Sequence, residues 1–267
     1  MKNIALTLAS LSLALAHAPQ ALAQTHCSSD GAPKPVALFE RFISADCEAC
    51  WGDAAPPAPS AKAGAVVLDW IVPSAAGDDA PLSAAATTDA LPRLQALGRK
   101  PPSLTDVHVS PVDADAHGRL RVAHGVAFND YVGVGINFAP SAAKPQRKVA
   151  AAPFAFHLLL VEAIAAGTDG TVVPRHVVRN AFEGEWLPAQ RQARTPGKPW
   201  AWMETRSMRI PEGARAERLH LVGWVDGSPQ SFACHFWVHT SSFGVPLNSL
   251  RPSSLSRVAR TLASFGW

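Results

Sequence analysis

Residues 35–44 (PVALFERFIS) and the segment that follows them, residues 45–51 (ADCEACW), decide the predicted fold of this chain. The first segment is rich in valine, phenylalanine and isoleucine, a composition typical of a β-strand. Prolines stand at positions 56, 57 and 59, and a proline is not accommodated inside a helix. The sequence therefore predicts a strand over residues 35–44, followed by a helix of one or two turns that begins near Cys47.

Two more elements complete the first predicted domain. Residues 65–72 (AVVLDWIV) are almost continuously apolar, which is typical of a strand buried on both faces, as in a parallel sheet. Residues 91–97 (LPRLQAL) predict a short helix, because Pro92 suits its first turn and Gly98 its C-terminal cap. The order of strand, CxxC, short helix, strand and helix is typical of a thioredoxin-like α/β domain, which we expect over residues 34–103.

The rest of the chain predicts β structure. Strand-like segments, separated by turn signals, lie at residues 104–109, 119–128, 131–138, 154–165, 172–179, 219–225 and 230–240. We therefore predict an all-β antiparallel sandwich over residues 104–267.

The composition indicates a folded chain and argues against nucleic acid as a partner. Of the 267 residues, 48% are hydrophobic and 17% are charged, which is too apolar for a disordered protein. The formal net charge is only +3, and no basic run is longer than residues 146–148 (QRK). A nucleic-acid-binding surface needs a concentrated basic face, and the sequence shows none.

The first 23 residues predict a Sec-type signal peptide rather than part of the fold. Lys2 supplies the positive charge, residues 4–16 form the apolar stretch, and residues 21–23 (ALA) match the cleavage motif. We expect the mature chain to begin at Gln24, to carry no membrane span after cleavage, and to be periplasmic or secreted. In such an oxidising compartment, paired cysteines form disulfides.

The motif Cys47-Glu48-Ala49-Cys50 carries the clearest chemistry in the sequence. A cysteine at the first turn of a helix is stabilised as a thiolate by the unpaired backbone N–H groups there. We therefore expect Cys47 to be the more exposed, nucleophilic thiol and Cys50 to be the shielded, resolving thiol. This thiol–disulfide chemistry needs no bound cofactor, and its partners would be the thiols or disulfides of other exported proteins.

Asp69 lies within the otherwise apolar segment at residues 65–72 and is the third predicted catalytic residue. A buried carboxylate beneath a CxxC motif can relay a proton to the resolving thiol. The alternative is a carboxylate at the end of a strand that caps a loop near Pro73.

Two other functions remain open at this stage. The alternatives are a non-catalytic, exported binding module in which the Cys47–Cys50 disulfide is structural, and a copper chaperone in which both thiolates bind the metal. The chain contains only three methionines, few for a copper carrier. His235 and His239 would lie about 13 Å apart on a strand, too far to share one metal ion. Cys27 and Cys234 either pair with each other or remain as free thiols.

The sequence also resembles a secreted bacterial family of uncharacterised function, with a thioredoxin-like domain followed by a β-sandwich. The resemblance lies in residues 36–40 (VALFE) with the CxxC motif, in residues 66–70 (VVLDW), and in residues 159–162 (LLVE), 176–179 (HVVR) and 184–186 (GEW). It implies the same two-domain fold and a redox role for the CxxC motif.

Overall fold

A computed structural model describes residues 27–28, 35–53, 64–112, 118–140, 153–192, 201–226 and 237–239. The predicted signal peptide at residues 1–23, Cys234 and His235 lie outside the described residues, so the predictions made for them stay predictions.

The described chain consists of strands with two short helices. The strands are β1 (Cys27–Ser28), β2 (Ala37–Ser44), β3 (Ala65–Val72), β4 (Thr105–Pro111), β5 (Gly118–Phe128), β6 (Tyr131–Pro140), β7 (Phe154–Ile164), β8 (Arg175–Trp186), β9 (Trp202–Arg209), β10 (Leu219–Asp226) and β11 (Trp237–His239). The helices are α1 (Glu48–Gly52) and α2 (Ala90–Ala96).

The larger sheet has seven strands in the order β11-β10-β7-β8-β3-β2-β4. Strand β3 runs parallel to both of its neighbours, β2 and β8, whereas the other strand pairs in this sheet are antiparallel. The strand predicted at residues 65–72 is therefore confirmed as an interior, parallel strand. Its continuous apolar sequence follows from burial on both faces.

A four-stranded antiparallel sheet, in the order β1-β5-β6-β9, covers part of one face of the larger sheet. Side chains of both sheets form a single hydrophobic cluster, in which Phe138 packs edge-to-face on Phe154 with ring centroids 5.2 Å apart. At Gly223 the sheets approach so closely that a Cβ atom would lie 2.6 Å from the Cγ1 of Val122. A side chain at this position would force the sheets apart.

The remaining surfaces of the larger sheet are covered by short elements. Helix α2 packs against one face through Ala90 and Leu94, which contact a cluster that includes Trp70. On the opposite face, beside the four-stranded sheet, Trp51 of α1 and Ile71 belong to a third cluster.

The predicted fold class, a thioredoxin-like α/β domain followed by an antiparallel β-sandwich, is wrong. The helices have only five and seven residues, and the strands β2 and β3 share one mixed sheet with β4, β7, β8, β10 and β11. An α/β domain covers both faces of its sheet with helices, whereas here a second sheet covers much of one face. The same sheet takes strands from both sides of the boundary predicted at residue 103, and the domain limits themselves stay a prediction.

Among the described residues, no helix is both long and apolar enough to span a membrane.

Candidate functional site

The CxxC motif lies on α1, directly after the C-terminal end of β2. The backbone N–H of Ala45 donates to the carbonyl of Val72 (2.9 Å), and that of Cys47 donates to the carbonyl of Ser44 (3.0 Å). The chain therefore leaves the sheet in a fixed direction and starts the helix with Cys47 as its N-terminal cap residue. The predicted short helix is confirmed.

Cys47 and Cys50 form a disulfide, as predicted, with their Cα atoms 5.2 Å apart. The backbone N–H of Cys50 donates to the Sγ of Cys47 at 3.3 Å. Only 8% of Cys47 is exposed, whereas Cys50 is partly exposed. The prediction that Cys47 is the more exposed cysteine is therefore wrong for the disulfide form, because the first turn of α1 turns Cys47 inwards.

Trp51 anchors α1 to the loop between β7 and β8. Its Nε1 donates to the carbonyl of Asp169 at 2.7 Å, and its ring is buried. Asp169 and Gly170 both have positive φ angles, which form a tight turn. The turn brings Gly170 beside the indole of Trp51. A Cβ at Gly170 would lie 3.7 Å from the Trp51 ring.

Asp69 is fully buried and sits in an ion pair. Its Oδ1 accepts from the Nε of Arg41 at 2.7 Å, and its Oδ2 accepts from the backbone N–H of His176 at 2.8 Å. These contacts do not fit the alternative of a strand-end cap near Pro73, because Asp69 binds the side chain of Arg41 and the backbone of β8. Its predicted part in proton transfer stays a prediction.

Arg175, which the sequence analysis missed, connects Asp69 to the cysteine helix. Its Nη2 lies within hydrogen-bond distance of the carbonyl oxygens of Cys50 (3.1 Å), Trp51 (2.8 Å) and Asp53 (2.8 Å). Its Nη1 lies 3.8 Å from the Oδ1 of Asp69. An arginine at the start of a strand has no distinctive pattern, and its contacts lie more than a hundred positions away in sequence.

A second cluster of buried charges lies beneath α2, on the opposite face of the larger sheet. Arg93 binds both carboxylate oxygens of Glu40, at 2.8 and 2.6 Å. The Nε1 of Trp70 donates to the same carboxylate at 3.1 Å. The guanidinium of Arg93 also lies over the ring of Trp224, 5.2 Å from its centroid.

His157 extends this second cluster towards the surface. Its ring stacks on Trp224, and its two nitrogens bind Glu183 (2.5 Å) and Asp226 (3.1 Å). Burial opposes protonation, but the hydrogen bonds to Asp226 and Glu183 outweigh it and raise the pKa of His157 above its usual value.

Within the described part of the chain, no group of three or more His, Cys, Asp or Glu side chains could hold a metal ion. The disulfide joins Cys47 and Cys50 to each other in this structure. The copper interpretation stays a prediction that these contacts do not favour.

Comparisons with protein-family models, with curated proteins and with solved structures found no match to this chain. The resemblance to a secreted bacterial family therefore stays a prediction.

Proposed function

We propose that this chain catalyses thiol–disulfide exchange through the Cys47–Cys50 pair. The observation that carries the proposal is the formed disulfide with a partly exposed Cys50, on a helix that buried groups hold in one place. A disulfide must be reachable by an attacking thiolate in order to exchange, and the partial exposure of Cys50 makes it the cysteine that such a thiolate would approach.

The exposures of the two cysteines assign their roles. An external thiolate attacks the Sγ of Cys50, the bond between Cys47 and Cys50 breaks, and Cys47 leaves as a thiolate. The backbone N–H of Cys50, which already donates to that sulfur at 3.3 Å, stabilises the leaving thiolate. In the reverse direction the Cys47 thiolate attacks the mixed disulfide at Cys50 and releases the partner's thiol. These roles are the opposite of those expected from the sequence.

The proposed partners are thiols or disulfides of other exported proteins. This part of the proposal rests on the predicted signal peptide at residues 1–23, because an oxidising compartment is where the disulfides of other proteins form and persist. Sequencing of the exported protein should find Gln24 at its N-terminus, and retention of Lys2 would contradict this placement.

Single-cysteine variants test the roles of the two sulfurs. Cys47→Ser leaves a Cys50 thiol that attacks substrate disulfides but has no partner to resolve them, so it should trap mixed disulfides with exported proteins. Cys50→Ser leaves the buried Cys47 and should trap few. The double variant Cys47→Ser/Cys50→Ser, which keeps Cys27 and Cys234, is the control for trapping by other cysteines.

The wild-type protein should in addition exchange a fluorogenic peptide disulfide faster than the double variant does. Equal rates for the two proteins, together with no trapping by either single variant, would contradict the proposed activity.

A structural disulfide in a non-catalytic binding module is the second candidate. The low exposure of Cys47 favours it, because a buried sulfur is a poor leaving group when water cannot reach it. The reduction potential separates the two functions. A value above about −250 mV favours exchange, whereas a value below about −300 mV is typical of structural disulfides.

A further inference from the structure

Arg175 is fully buried and is held in place from its own loop. Its Nε donates to the Oγ1 of Thr171 at 3.2 Å, and that hydroxyl donates to the carbonyl of Val173 at 2.8 Å. The loop closes on itself through the backbone N–H of Gly167, which donates to the carbonyl of Thr171 at 2.8 Å. These contacts within the loop fix the position of the guanidinium independently of its contacts with α1.

The same guanidinium binds the C-terminal end of the cysteine helix. The last carbonyls of a helix have no partner within it, and here Nη2 of Arg175 lies 2.8 to 3.1 Å from three carbonyl oxygens of residues 50, 51 and 53. The Cζ of Arg175 also lies 5.5 Å from the centroid of the Trp51 ring, a cation–π contact. Arg175 thus holds both the backbone and the aromatic side chain that follow Cys50.

The charges around Arg175 are not balanced within the buried cluster. Arg41 and Arg175 both face Asp69, but Asp69 is closer to Arg41, with 2.5 Å between Nη2 and Oδ1 against 3.8 Å for Nη1 of Arg175. The Nη1 of Arg175 is buried and has no hydrogen-bond partner among the described residues. Asp53, which also attracts the guanidinium, is exposed. Among the described residues, two buried arginines therefore face one buried carboxylate, and the guanidinium of Arg175 lies against the carbonyl of Cys50.

A buried cation that contacts the backbone of Cys50 favours, by Coulomb attraction, the form of the cysteine pair that carries negative charge. Reduction by a dithiol transfers two electrons: one reagent thiolate attacks Cys50, Cys47 leaves as a thiolate, and the second reagent thiolate then displaces Cys50. The reagent becomes a cyclic disulfide, and its two protons pass to the protein thiols or to water. The disulfide form has no charge, so a nearby cation stabilises only the reduced form when it carries a thiolate.

We propose that Arg175 is a positioning residue for this exchange, whose buried guanidinium holds the end of α1 and makes the Cys47–Cys50 disulfide easier to reduce. The biological purpose of this effect rests on the proposed function. The equilibrium with a dithiol, however, can be measured whether or not the protein acts on other proteins.

The test measures the equilibrium of the full mature chain with dithiothreitol at pH 7 for three variants. Arg175→Met removes the charge and keeps the length, and it should lower the equilibrium constant for reduction about tenfold, which is about 30 mV. Arg175→Lys keeps the charge and should stay within about threefold of the wild type, although it loses the forked contacts and lowers Tm. Arg218→Gln is the matched control, because Arg218 pairs with Asp169 of the same loop. It should leave the equilibrium unchanged.

A folded Arg175→Met variant with the wild-type equilibrium would overturn the proposal, as would an equal shift in Arg218→Gln, which would assign the effect to the loop. If Arg175→Met does not fold, a measurement on the wild-type protein still tests the proposal. The alkylation rate of its reduced thiols should have its midpoint below pH 7, because Arg175 can shift the equilibrium tenfold at that pH only if the reduced form is mostly thiolate, and a midpoint at or above pH 7 refutes the proposal. Failure of the exchange function appears separately, as no peptide-disulfide turnover by a wild type whose equilibrium does depend on Arg175.

Discussion

Glu40 and Arg41 are neighbours on β2, yet they belong to two buried charge clusters on opposite faces of the seven-stranded sheet. Side chains alternate between faces along a strand, so Glu40 meets Arg93 beneath α2 and Arg41 meets Asp69 beside the cysteine helix. In the Glu40–Arg93 cluster the bidentate pair satisfies both partners. In the Asp69 cluster, one carboxylate faces two arginines, and one of them, Arg175, turns its Nη2 group to the backbone of α1. We infer that the Glu40–Arg93 cluster is structural and that the Asp69 cluster connects the sheet to the disulfide.

Removal of the shared carboxylate should have the largest effect on stability. Asp69→Asn leaves Arg41 and Arg175 buried without a counter-charge, and breaking a buried ion pair in this way costs about 3–5 kcal/mol. We expect a loss of that size in the free energy of unfolding, measured in urea with the disulfide intact. The matched control is Asp106→Asn, which breaks a partly exposed pair with Arg99 and should cost about 1 kcal/mol or less. Similar losses for the two variants would contradict the comparison.

A double-mutant cycle on the other face should show that its pair is replaceable. Glu40→Leu or Arg93→Met alone leaves one buried charge unpaired and should destabilise the protein by about 3 kcal/mol. The double variant should recover most of that loss, because an apolar pair of similar volume often replaces a buried ion pair at little cost. Urea unfolding of the four proteins gives the coupling energy. A double variant as unstable as the sum of the single variants would mean that Glu40 and Arg93 are not energetically coupled, which would contradict the prediction.

The smallest effect that we predict is a pH dependence from His157, which extends the Glu40–Arg93 cluster towards the surface. Glu183 and Asp226 raise its pKa above the unfolded value of about 6.5. The stabilisation is therefore fully present below about pH 6.5 and is lost as the pH rises through the folded pKa. His157→Gln should remove this dependence. The measurement is the difference in unfolding free energy between the wild type and the variant from about pH 5.5 to 9.

Taking that difference cancels other titrations, such as that of His176, whose pKa burial lowers. A difference that stays constant over this pH range would show that His157 is not held as an imidazolium by its two carboxylates.

Individual strands and helices could be predicted from the sequence where a local pattern of apolar residues reflects which of their faces are buried. Strand β3 has the predicted bounds because both of its faces are buried. Helix α2 was predicted within one residue, and Gly98 after it has a positive φ of 66°, as its capping position requires. Strand β9 was missed because it lies at the edge of the four-stranded sheet, where exposed polar side chains hide the alternation.

The fold class could not be obtained in this way because it depends on which strands pair. The local order around the CxxC motif fits an α/β domain, but β2 pairs with β4 and β3 pairs with β8, partners that lie far along the chain. Periodicity indicates which face of a strand is buried and does not identify its neighbour. The error in fold class followed from that limit.

The sequence alone determined the cysteine pair and the buried strand that carries Asp69, because a three-residue separation and an unbroken apolar run are local properties. Only the tertiary structure decided what surrounds them. It buried Cys47 and left Cys50 partly exposed, and it brought Arg175 from 125 positions away onto the end of the cysteine helix. The physical reason is that charge pairing and exposure depend on which elements contact each other in the folded protein. The separation of two elements along the chain does not indicate whether they are in contact.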